Sequence, residues 1–386
     1  MNCPICDSCS IELSKEFSQS ITSDSKMIHA VTSISICHDC GNLFNSHGTR
    51  NRISDFYSNS YDLFGASFEA ETTIFRTNNS FSISDWRLEH LSSLSILPKI
   101  GSILDIGCGK GNFLQKFGTL FSQWTLYGIE SSKASLVIAK NNLDNSIFYE
   151  GIYSSQLFDK KFELIVAFNV LEHVENPRLF LQNIFDDLKK DGIVCFDVPN
   201  FKVNPADVFI YDHLTHFTKE TLENLLHNIG FEILKVIERK DQVSMMVICK
   251  KRTFVTELEN FYSLTNNLLT DSLHFNQELF SMYNSINNSS ENFGVVGLGA
   301  FIWKGIQMNA IDISKIFSFY DENLTLINSK VNGIPINSLN KIPQNSLPLI
   351  FSVSPCYIDK LKEKLFQYKN NLFIPKSYLY YQKYFN

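Results

Sequence analysis

The chain has 386 residues, of which 44% are hydrophobic, and it carries a formal net charge of −6 at neutral pH. This length predicts two or three domains, and the apolar content is enough to fill ordinary cores. The acidic balance gives no electrostatic footprint for nucleic acid, so we expect no nucleic-acid partner.

The start of the chain lacks the basic and apolar regions of a signal peptide, and no apolar run reaches about 18 residues. We therefore expect a cytoplasmic protein without a membrane span. In that compartment, the nine cysteines are expected to be thiols or metal ligands rather than disulfides.

Residues 1–50 contain two Cys-x-x-Cys pairs, formed by Cys3 with Cys6 and by Cys37 with Cys40. Four thiolates suit a tetrahedral Zn²⁺ ion with no open position, so the spacing predicts a structural zinc module. The alternatives are unrelated thiols, or a redox pair, which needs a βαβ context that is absent here. Whether the module only stabilises the N-terminus or also contacts substrate stays open.

Residues 51–100 form a lead-in of aromatic and helical character. Tyr57, Tyr61 and Phe64 could belong to a lid or to a packed connector. Leu88, Leu91 and Leu94 then recur at helical spacing, which predicts a helix ahead of the first strand.

Residues 101–250 alternate between strand and helix patterns, which predicts an α/β domain with a parallel, doubly wound sheet. Two closing strands are expected to add an antiparallel edge. The predicted strands are 102–106, 125–130, 146–149, 162–168, 192–197, 231–238 and 243–250, and the predicted helices are 111–120, 132–142, 177–190 and 218–229.

A glycine loop follows the first of these strands. An apolar run that contains Asp105 ends in Gly107, Gly109 and Gly111, and a helical pattern then begins. Glycine reaches positive φ and lets a ligand approach the backbone closely, while the helix start directs unpaired N–H groups at the same space. The loop therefore predicts a small polar ligand at the carboxyl end of a strand.

Three further features point at the same ligand. Glu130 ends the second strand, where a carboxylate can accept hydrogen bonds from ribose hydroxyls. Gly151 follows the third strand, where it could line an adenine. The segment 169–174 follows the fourth strand and predicts a turn beside the ligand.

Residues 86–250 resemble the class I S-adenosylmethionine (SAM)-dependent methyltransferases. The resemblance rests on Asp105-Ile106-Gly107-Cys108-Gly109-Lys110-Gly111, on Glu130, and on Asn169-Val170-Leu171-Glu172-His173-Val174. It implies a SAM cofactor, with Asp105 near the methionine amino group and Glu130 on the ribose. The other residues that it places at the cofactor are Gly107, Cys108, Gly109, Gly111, Gly151, Asn169 and Val170. A dinucleotide dehydrogenase would need G-x-G-x-x-G, whereas this loop has G-x-G-x-G.

The acceptor side is expected in the loop that follows the fifth parallel strand. His213 is the candidate base, because imidazole titrates near neutrality, and Asp212 or Tyr211 could orient it. His216 is the competing candidate. We expect His173 to be a packing or cofactor-side residue.

Residues 251–292 predict a helical linker, with apolar residues at helical spacing from Phe254 to Leu268 and an Asn/Ser-rich stretch over 284–292. Residues 293–386 predict a small Rossmann-like unit with strands near 293–296, 316–321 and 347–353. Gly297 and Gly299, with Asp321 ending the next strand, are a weak nucleotide fingerprint whose third glycine position holds Ile302. Nucleotide contact and simple packing both stay open.

The order of the three parts resembles the sugar C-methyltransferases that act on nucleotide-linked 4-keto deoxysugars. That resemblance implies a nucleotide-sugar substrate. The family carries Tyr-x-Glu-His in the acceptor loop, whereas this chain has Ile210-Tyr211-Asp212-His213, so carbon and oxygen methylation both stay open. The alternatives are a methyltransferase acting on a lipid, quinone or secondary metabolite, and a SAM-binding scaffold without activity. A homodimer is also left open.

Overall fold

The structure is a computed structural model, and it describes most of the chain outside the lead-in segment. Tyr57, Tyr61 and Phe64 lie outside the described residues. In the part of the chain that the structure describes, no helix is both long and apolar enough to cross a lipid bilayer. The described residues are 2–18, 20–23, 27–46, 73–76, 79–155, 157–239, 243–252, 254–289, 292–322, 326–343, 348–366 and 372–381.

An antiparallel sheet forms the N-terminal module, which we define as residues 2–46. Its two Cys-x-x-Cys turns lie at one end, before the first strand and between the last two. The strands are β1 (Ile11–Phe17), β2 (Ser20–Ile21), β3 (Met27–Ile28), β4 (Thr32–Cys37) and β5 (Leu43–Asn45). The main sheet has the order β1-β4-β5 and is then extended by a strand from residues 215–216.

The central sheet has seven strands and is mostly parallel. Its elements, with the hairpin that precedes it, are β6 (Thr73–Arg76), β7 (Asn79–Ser82), α1 (Ile83–Ser92), β8 (Gly101–Ile106), α2 (Asn112–Leu120), β9 (Trp124–Glu130), α3 (Lys133–Asn142), β10 (Ser146–Glu150), β11 (Phe162–Phe168), α4 (Pro177–Asp187), β12 (Leu188–Pro199), β13 (Thr215–His216), α5 (Lys219–Ile229), β14 (Phe231–Arg239) and β15 (Ser244–Lys251).

The strand order of this sheet is β10-β9-β8-β11-β12-β15-β14. The first five strands run parallel, and β15 pairs antiparallel with both β12 and β14. The predicted antiparallel edge is therefore confirmed. The order reverses between β8 and β11, and a ligand is expected outside the carboxyl ends of the strands at such a point.

Local signals explain the helix that leads into this sheet. Ser82 caps α1 by accepting a hydrogen bond from the Asp85 amide, while the Asp85 side chain accepts from the Ser82 amide. This reciprocal pair satisfies two donors that a helix start otherwise leaves unpaired. Leu88 and Leu91 are buried, and they share a hydrophobic cluster with Ile103 of β8 and Leu114 of α2, so α1 packs beside α2 against the central sheet.

A long helix, α6, connects the central sheet to a second, six-stranded sheet. The elements are α6 (Tyr262–Asn287), β16 (Phe293–Val296), α7 (Ala300–Gln307), β17 (Ile316–Asp321), β18 (Lys330–Val331), β19 (Ile334–Ser338), β20 (Leu349–Phe351), α8 (Pro355–Lys364), β21 (Leu372–Phe373) and α9 (Tyr378–Tyr381). The order is β18-β19-β17-β16-β20-β21, and only the short β18 pairs antiparallel.

Two predicted helix boundaries in the connecting region are wrong. The helix predicted to begin near Phe254 begins at Tyr262, because residues 254–261 run along α5 and bond to its side chains. Asn224 both donates to and accepts from the Glu259 backbone, at 2.9 Å each. The Asn/Ser-rich stretch from 284 is still helical up to Asn287, with Ile286 only 4% exposed.

The helix predicted over 177–190 is also too long. It ends at Asp187, because Leu188 joins the sheet opposite Phe162 and is fully buried there. The free energy gained by burying Leu188 against β11 exceeds the free energy gained by extending the helix through Lys189 and Lys190.

Candidate functional site

The glycine loop after β8 has the backbone that its sequence predicts. Gly107, Gly109 and Gly111 have φ values of 72°, 53° and 83°, which L-residues with a side chain rarely adopt. A Cβ on Gly107 would lie 2.6 Å from Val170 Cγ2, whereas a Cβ on Gly109 would meet nothing within 4 Å. The loop is thus packed on one side and open toward a cavity on the other.

Glu130 fixes the shape of the glycine loop. Its Oε2 accepts a hydrogen bond from the Gly109 amide at 2.8 Å, and its Oε1 accepts from the Ser132 amide at 2.7 Å. Gly151, with φ of 134°, follows β10 and donates its amide to the Glu130 carbonyl at 2.9 Å. The carboxylate therefore lies where the sequence places it, between the loop and the start of α3.

Asp105 is only 2% exposed at the carboxyl end of β8. Burial raises the pKa of its carboxyl group to about 8, although the charge of Arg87 acts in the opposite direction. A buried carboxyl group of this kind is suited to a cationic ligand group, because the ligand's charge would offset the loss of hydration.

Sequence reasoning missed an arginine that reaches into this site. Arg87, on α1, donates to Asp197 Oδ2 at 2.8 and 3.0 Å and to Asn169 Oδ1 at 3.0 Å. Its guanidinium also lies 4.3 Å from the centre of the Phe168 ring. Asn169 has a positive φ of 55°, a conformation that asparagine tolerates in turns. The only signal in the sequence was one basic residue on the lead-in helix.

The acceptor loop, which we define as residues 207–216, is organised by Asp207. Its Oδ1 lies 2.7 Å from His213 Nδ1, and its Oδ2 lies 2.5 Å from His216 Nδ1. Burial disfavours the charged forms of Asp207 and His213, but the attraction between the carboxylate and the imidazolium is stronger. This attraction lowers the pKa of Asp207 and raises the pKa of His213 to about 9. Asp207, which sequence reasoning did not single out, therefore orients His213.

The two residues predicted to orient His213 have other contacts. Both oxygens of Asp212 accept hydrogen bonds from Ser23, from its amide at 2.8 Å and from its hydroxyl at 2.5 Å. The Tyr211 amide donates to the Ile21 carbonyl at 2.8 Å. His213 is among the described residues that line the cavity, whereas Tyr211, Asp212 and His216 are not.

The turn after β11 lies opposite His213. His173 Nδ1 lies 2.7 Å from the Asp212 carbonyl, and the rings of His173 and His213 meet edge to face at 4.8 Å. Burial raises the pKa of Glu172 to about 8 and lowers the pKa of His173 to about 4. Glu172, His173 and His213 all line the cavity, so His173 lies beside His213 at the cavity rather than only in packing.

The N-terminal module holds the acceptor loop in place. β5 pairs with β13, and Asn45 donates from its side chain to the Tyr211 carbonyl at 3.1 Å. Ser23 lines the cavity itself. The module therefore supports the acceptor loop and reaches the cavity at Ser23, and whether it also contacts substrate stays open.

The four predicted cysteine ligands converge at the far end of that module. The four Sγ atoms all lie within 4.8 Å of one another, with 3.6 Å between Cys3 and Cys40 and 3.5 Å between Cys6 and Cys37. Zinc–sulfur bonds of about 2.3 Å in a tetrahedron place sulfurs ~3.8 Å apart. The donor set and its spacing thus fit one Zn²⁺ ion.

A cavity of about 1240 Å³ connects the glycine loop with the acceptor loop and the second sheet. It is lined by the glycine loop and Glu130, by Glu172, His173 and His213, and by residues of the second sheet. Those residues include Gly297, Gly299 and Asp321, at the ends of β16 and β17. Ligand pockets are commonly about 300–1,000 Å³, so the cavity is larger than the usual pocket for one small molecule.

Residues 81–236 match the family model described as "Methyltransferase domain". Residues 81–236 therefore form a methyltransferase domain. The match covers α1 and the central sheet as far as β14, and it leaves out the N-terminal module and the second sheet. The predicted cofactor residues from Asp105 to Val170 all lie inside it.

Curated relatives resemble the chain over the same domain. It is 30% identical to a ubiquinone biosynthesis O-methyltransferase of Glaesserella parasuis over 108 residues, covering 25% of this chain and 45% of that protein. It is 28% identical to a carboxy-S-adenosyl-L-methionine synthase of Campylobacter jejuni over 160 residues, covering 40% of this chain and 64% of that protein. The chain thus spans under half the length of the first relative.

A solved SAM-dependent methyltransferase of Clostridium acetobutylicum is also similar. It shares 16% identity and a TM-score of 0.37, with 44% of this chain and 91% of that chain covered.

Proposed function

We propose that this protein transfers the methyl group of SAM to an oxygen or carbon atom of a small molecule, namely a nucleotide-linked sugar or glycan precursor. The observation that carries the proposal is the shared cavity, which is lined by the glycine loop of the methyltransferase domain and by the Gly297–Gly299 turn of the second sheet. SAM accounts for the first of these turns and leaves the second for the acceptor.

The second turn suits the nucleotide part of such an acceptor. Gly297 has φ of 93°, and a Cβ at Gly299 would meet nothing within 4 Å. Gly299 is also the residue before α7, so the first amides of that helix face the same space. Asp321 ends the neighbouring strand and accepts from the Leu298 amide at 3.1 Å. Open backbone at a helix start favours phosphate, and an acid at the next strand end favours ribose.

The sugar would then reach the methyl group beside His213. Methyl transfer needs the acceptor atom aligned with the sulfonium methyl group and, for a hydroxyl or a carbon acid, a group that helps to remove its proton. We propose Glu172, His173 and His213 as the acceptor side, with Asp207 positioning His213. Tyr211 and Asp212, the other predicted catalytic residues, would act through the shape of the loop.

The four-cysteine cluster is proposed to bind one structural Zn²⁺ ion. Because the module reaches the cavity at Ser23 and pairs β5 with β13 of the acceptor loop, the ion would stabilise the acceptor side from a distance. The protein is proposed to work in the cytoplasm, and a dimer remains a separate hypothesis.

A second candidate acceptor is a quinone or another lipid-like molecule, as the name of the Glaesserella relative suggests for that protein. Transfer of labelled methyl groups from SAM to a panel of keto and hydroxy nucleotide sugars tests the proposal against demethylated quinones and acyl thioesters. Turnover of quinones but of no nucleotide sugar would refute the sugar acceptor. With a keto sugar, cofactor-independent exchange of the substrate proton into deuterated water would indicate carbon methylation.

A further inference from the structure

The acceptor side holds a carboxylate and two imidazoles in an arrangement that acid–base chemistry alone does not explain. One ligand atom from each of Glu172, His173 and His213 lies within 4.8 Å of the other two. Glu172 is 1% exposed, and its Oε2 has no hydrogen-bond partner among the described residues, although the side chain lines the cavity. A buried carboxylate oxygen without a partner costs free energy unless a ligand satisfies it.

The two imidazole rings are oriented in the way that metal ligands are. Asp207 accepts from His213 Nδ1 at 2.7 Å, and the Asp212 carbonyl can only accept from His173 Nδ1, also at 2.7 Å. Nδ1 of each ring thereby acts as a donor, so Nε2 is the nitrogen that can bind an ion, and His213 would lose its second proton on binding. A metal-bound histidine usually donates from its other ring nitrogen to a carboxylate or a backbone carbonyl.

The distances leave room for an ion. His173 Nε2 lies 3.8 Å from Glu172 Oε1, which is too long for a hydrogen bond. Metal–nitrogen and metal–oxygen bonds of about 2.0–2.2 Å separate neighbouring ligands by ~3–3.5 Å, so ligand atoms that now lie within 4.8 Å of one another would approach by at most ~2 Å. Asp207 and Asp212 add negative charge behind the two rings, which favours a cation in front of them.

We propose that Glu172, His173 and His213 bind a divalent transition-metal ion in the acceptor half of the cavity. Two imidazoles and one carboxylate suit Zn²⁺, Fe²⁺ or Mn²⁺ and leave coordination positions open for a substrate oxygen. This site is separate from the four-cysteine cluster at the other end of the N-terminal module.

The use of the ion rests on the proposed function, whereas its binding does not. A hydroxyl group bound to the ion would lose its proton to water more readily, and the negative charge of a bound enolate oxygen would be stabilised. In oxygen methylation, the bond from that oxygen to the methyl carbon forms as the carbon–sulfur bond breaks. The electron pair of the broken bond returns to sulfur and gives S-adenosylhomocysteine. His213 would then be a ligand that activates the acceptor through the metal, in place of the free base that the sequence predicts.

Mn²⁺ is the probe, because carboxylate and imidazole accept it while a four-thiolate site favours zinc. Electron paramagnetic resonance of the full chain titrated with Mn²⁺ is expected to show one bound ion. Glu172→Gln should abolish this binding, and Asp207→Asn should weaken it by about 10- to 100-fold through the second partner of His213. Glu175→Gln removes another carboxylate that lines the cavity and should leave Mn²⁺ binding unchanged.

SAM binding by each variant shows that it is folded. Absence of Mn²⁺ binding by the wild-type chain, or equal binding by Glu172→Gln, would overturn the metal site. The two proposals fail separately. One bound Mn²⁺ without methyl transfer to any acceptor would refute the function only, and undiminished methyl transfer after removal of this ion would refute the metal's role only.

Discussion

Replacing Asp105 by asparagine should stabilise the ligand-free protein at neutral pH. Burial raises the pKa of this carboxyl group from 3.8 to about 8. In the unfolded chain the group ionises near pH 4, whereas in the folded protein it keeps its proton up to about pH 8. The folded state therefore binds more protons in this window, and its stability falls as the pH rises through it.

The size of the effect follows from that window. Each pH unit above the unfolded pKa costs about 1.4 kcal/mol, so the penalty is on the order of 4 kcal/mol at pH 7 and levels off above about pH 8. Asp105→Asn, with nearly the same shape and no charge to bury, escapes this penalty. The variant and the wild type should have equal stability at pH 4 and diverge as the pH rises.

Urea unfolding at pH values from 4 to 9 measures the difference. Asp144→Asn, which removes an exposed carboxylate from the same domain, is the control whose curve should stay parallel to that of the wild type. Asp105→Asn should also bind SAM more weakly, because an amide cannot pair with the cationic amino group. A stability difference between wild type and Asp105→Asn that does not vary with pH would refute the burial argument.

Three further predictions concern the loop, the arginine and the N-terminal module. Gly107→Ala should abolish SAM binding, since its methyl group would lie 2.6 Å from Val170 Cγ2, whereas Gly109→Ala should only weaken it through a strain of about 1 kcal/mol. Val170→Ala in the Gly107→Ala background should restore part of the binding, and calorimetry that shows no difference between the two alanine variants would contradict the packing argument. Arg87→Met should lower the free energy of unfolding by about 3–5 kcal/mol, because it leaves the carboxylate of Asp197 buried without its cation; a loss below about 1 kcal/mol in denaturant melts would count against it. Chelation of zinc should speed hydrogen exchange in the acceptor loop as well as in the N-terminal module, while exchange in β8 stays slow; unchanged exchange in the acceptor loop would disprove the coupling.

The central sheet and the cofactor loop were predictable because their signals are local. An apolar strand, a run of alternate glycines and a helix start lie within residues 103–113, and the parallel sheet follows from the alternation of β and α. The three positive φ values need no contact from elsewhere in the chain.

The acceptor side was only half predictable, because its contacts join distant parts of the sequence. Arg87 reaches Asp197 across 110 positions, and the Asn45 side chain reaches the Tyr211 carbonyl across 166. No short pattern encodes such pairs. The same limit explains the helix wrongly begun at Phe254, where the spacing is helical but Asn224 and Asn228 bond the segment in an extended form.

The pairing of β5 with β13 has a consequence for how this protein folds. The two strands are about 170 positions apart in the chain, so the acceptor loop cannot take its final form until the N-terminal residues have found it. Closing so long a loop costs only slightly more entropy than closing a short one, but it makes this step a late one in folding. We expect a fragment trimmed to the methyltransferase domain to bind SAM but to lack β5, the strand that pairs with the acceptor loop. Such a fragment would be a binder of SAM without an ordered place for its substrate.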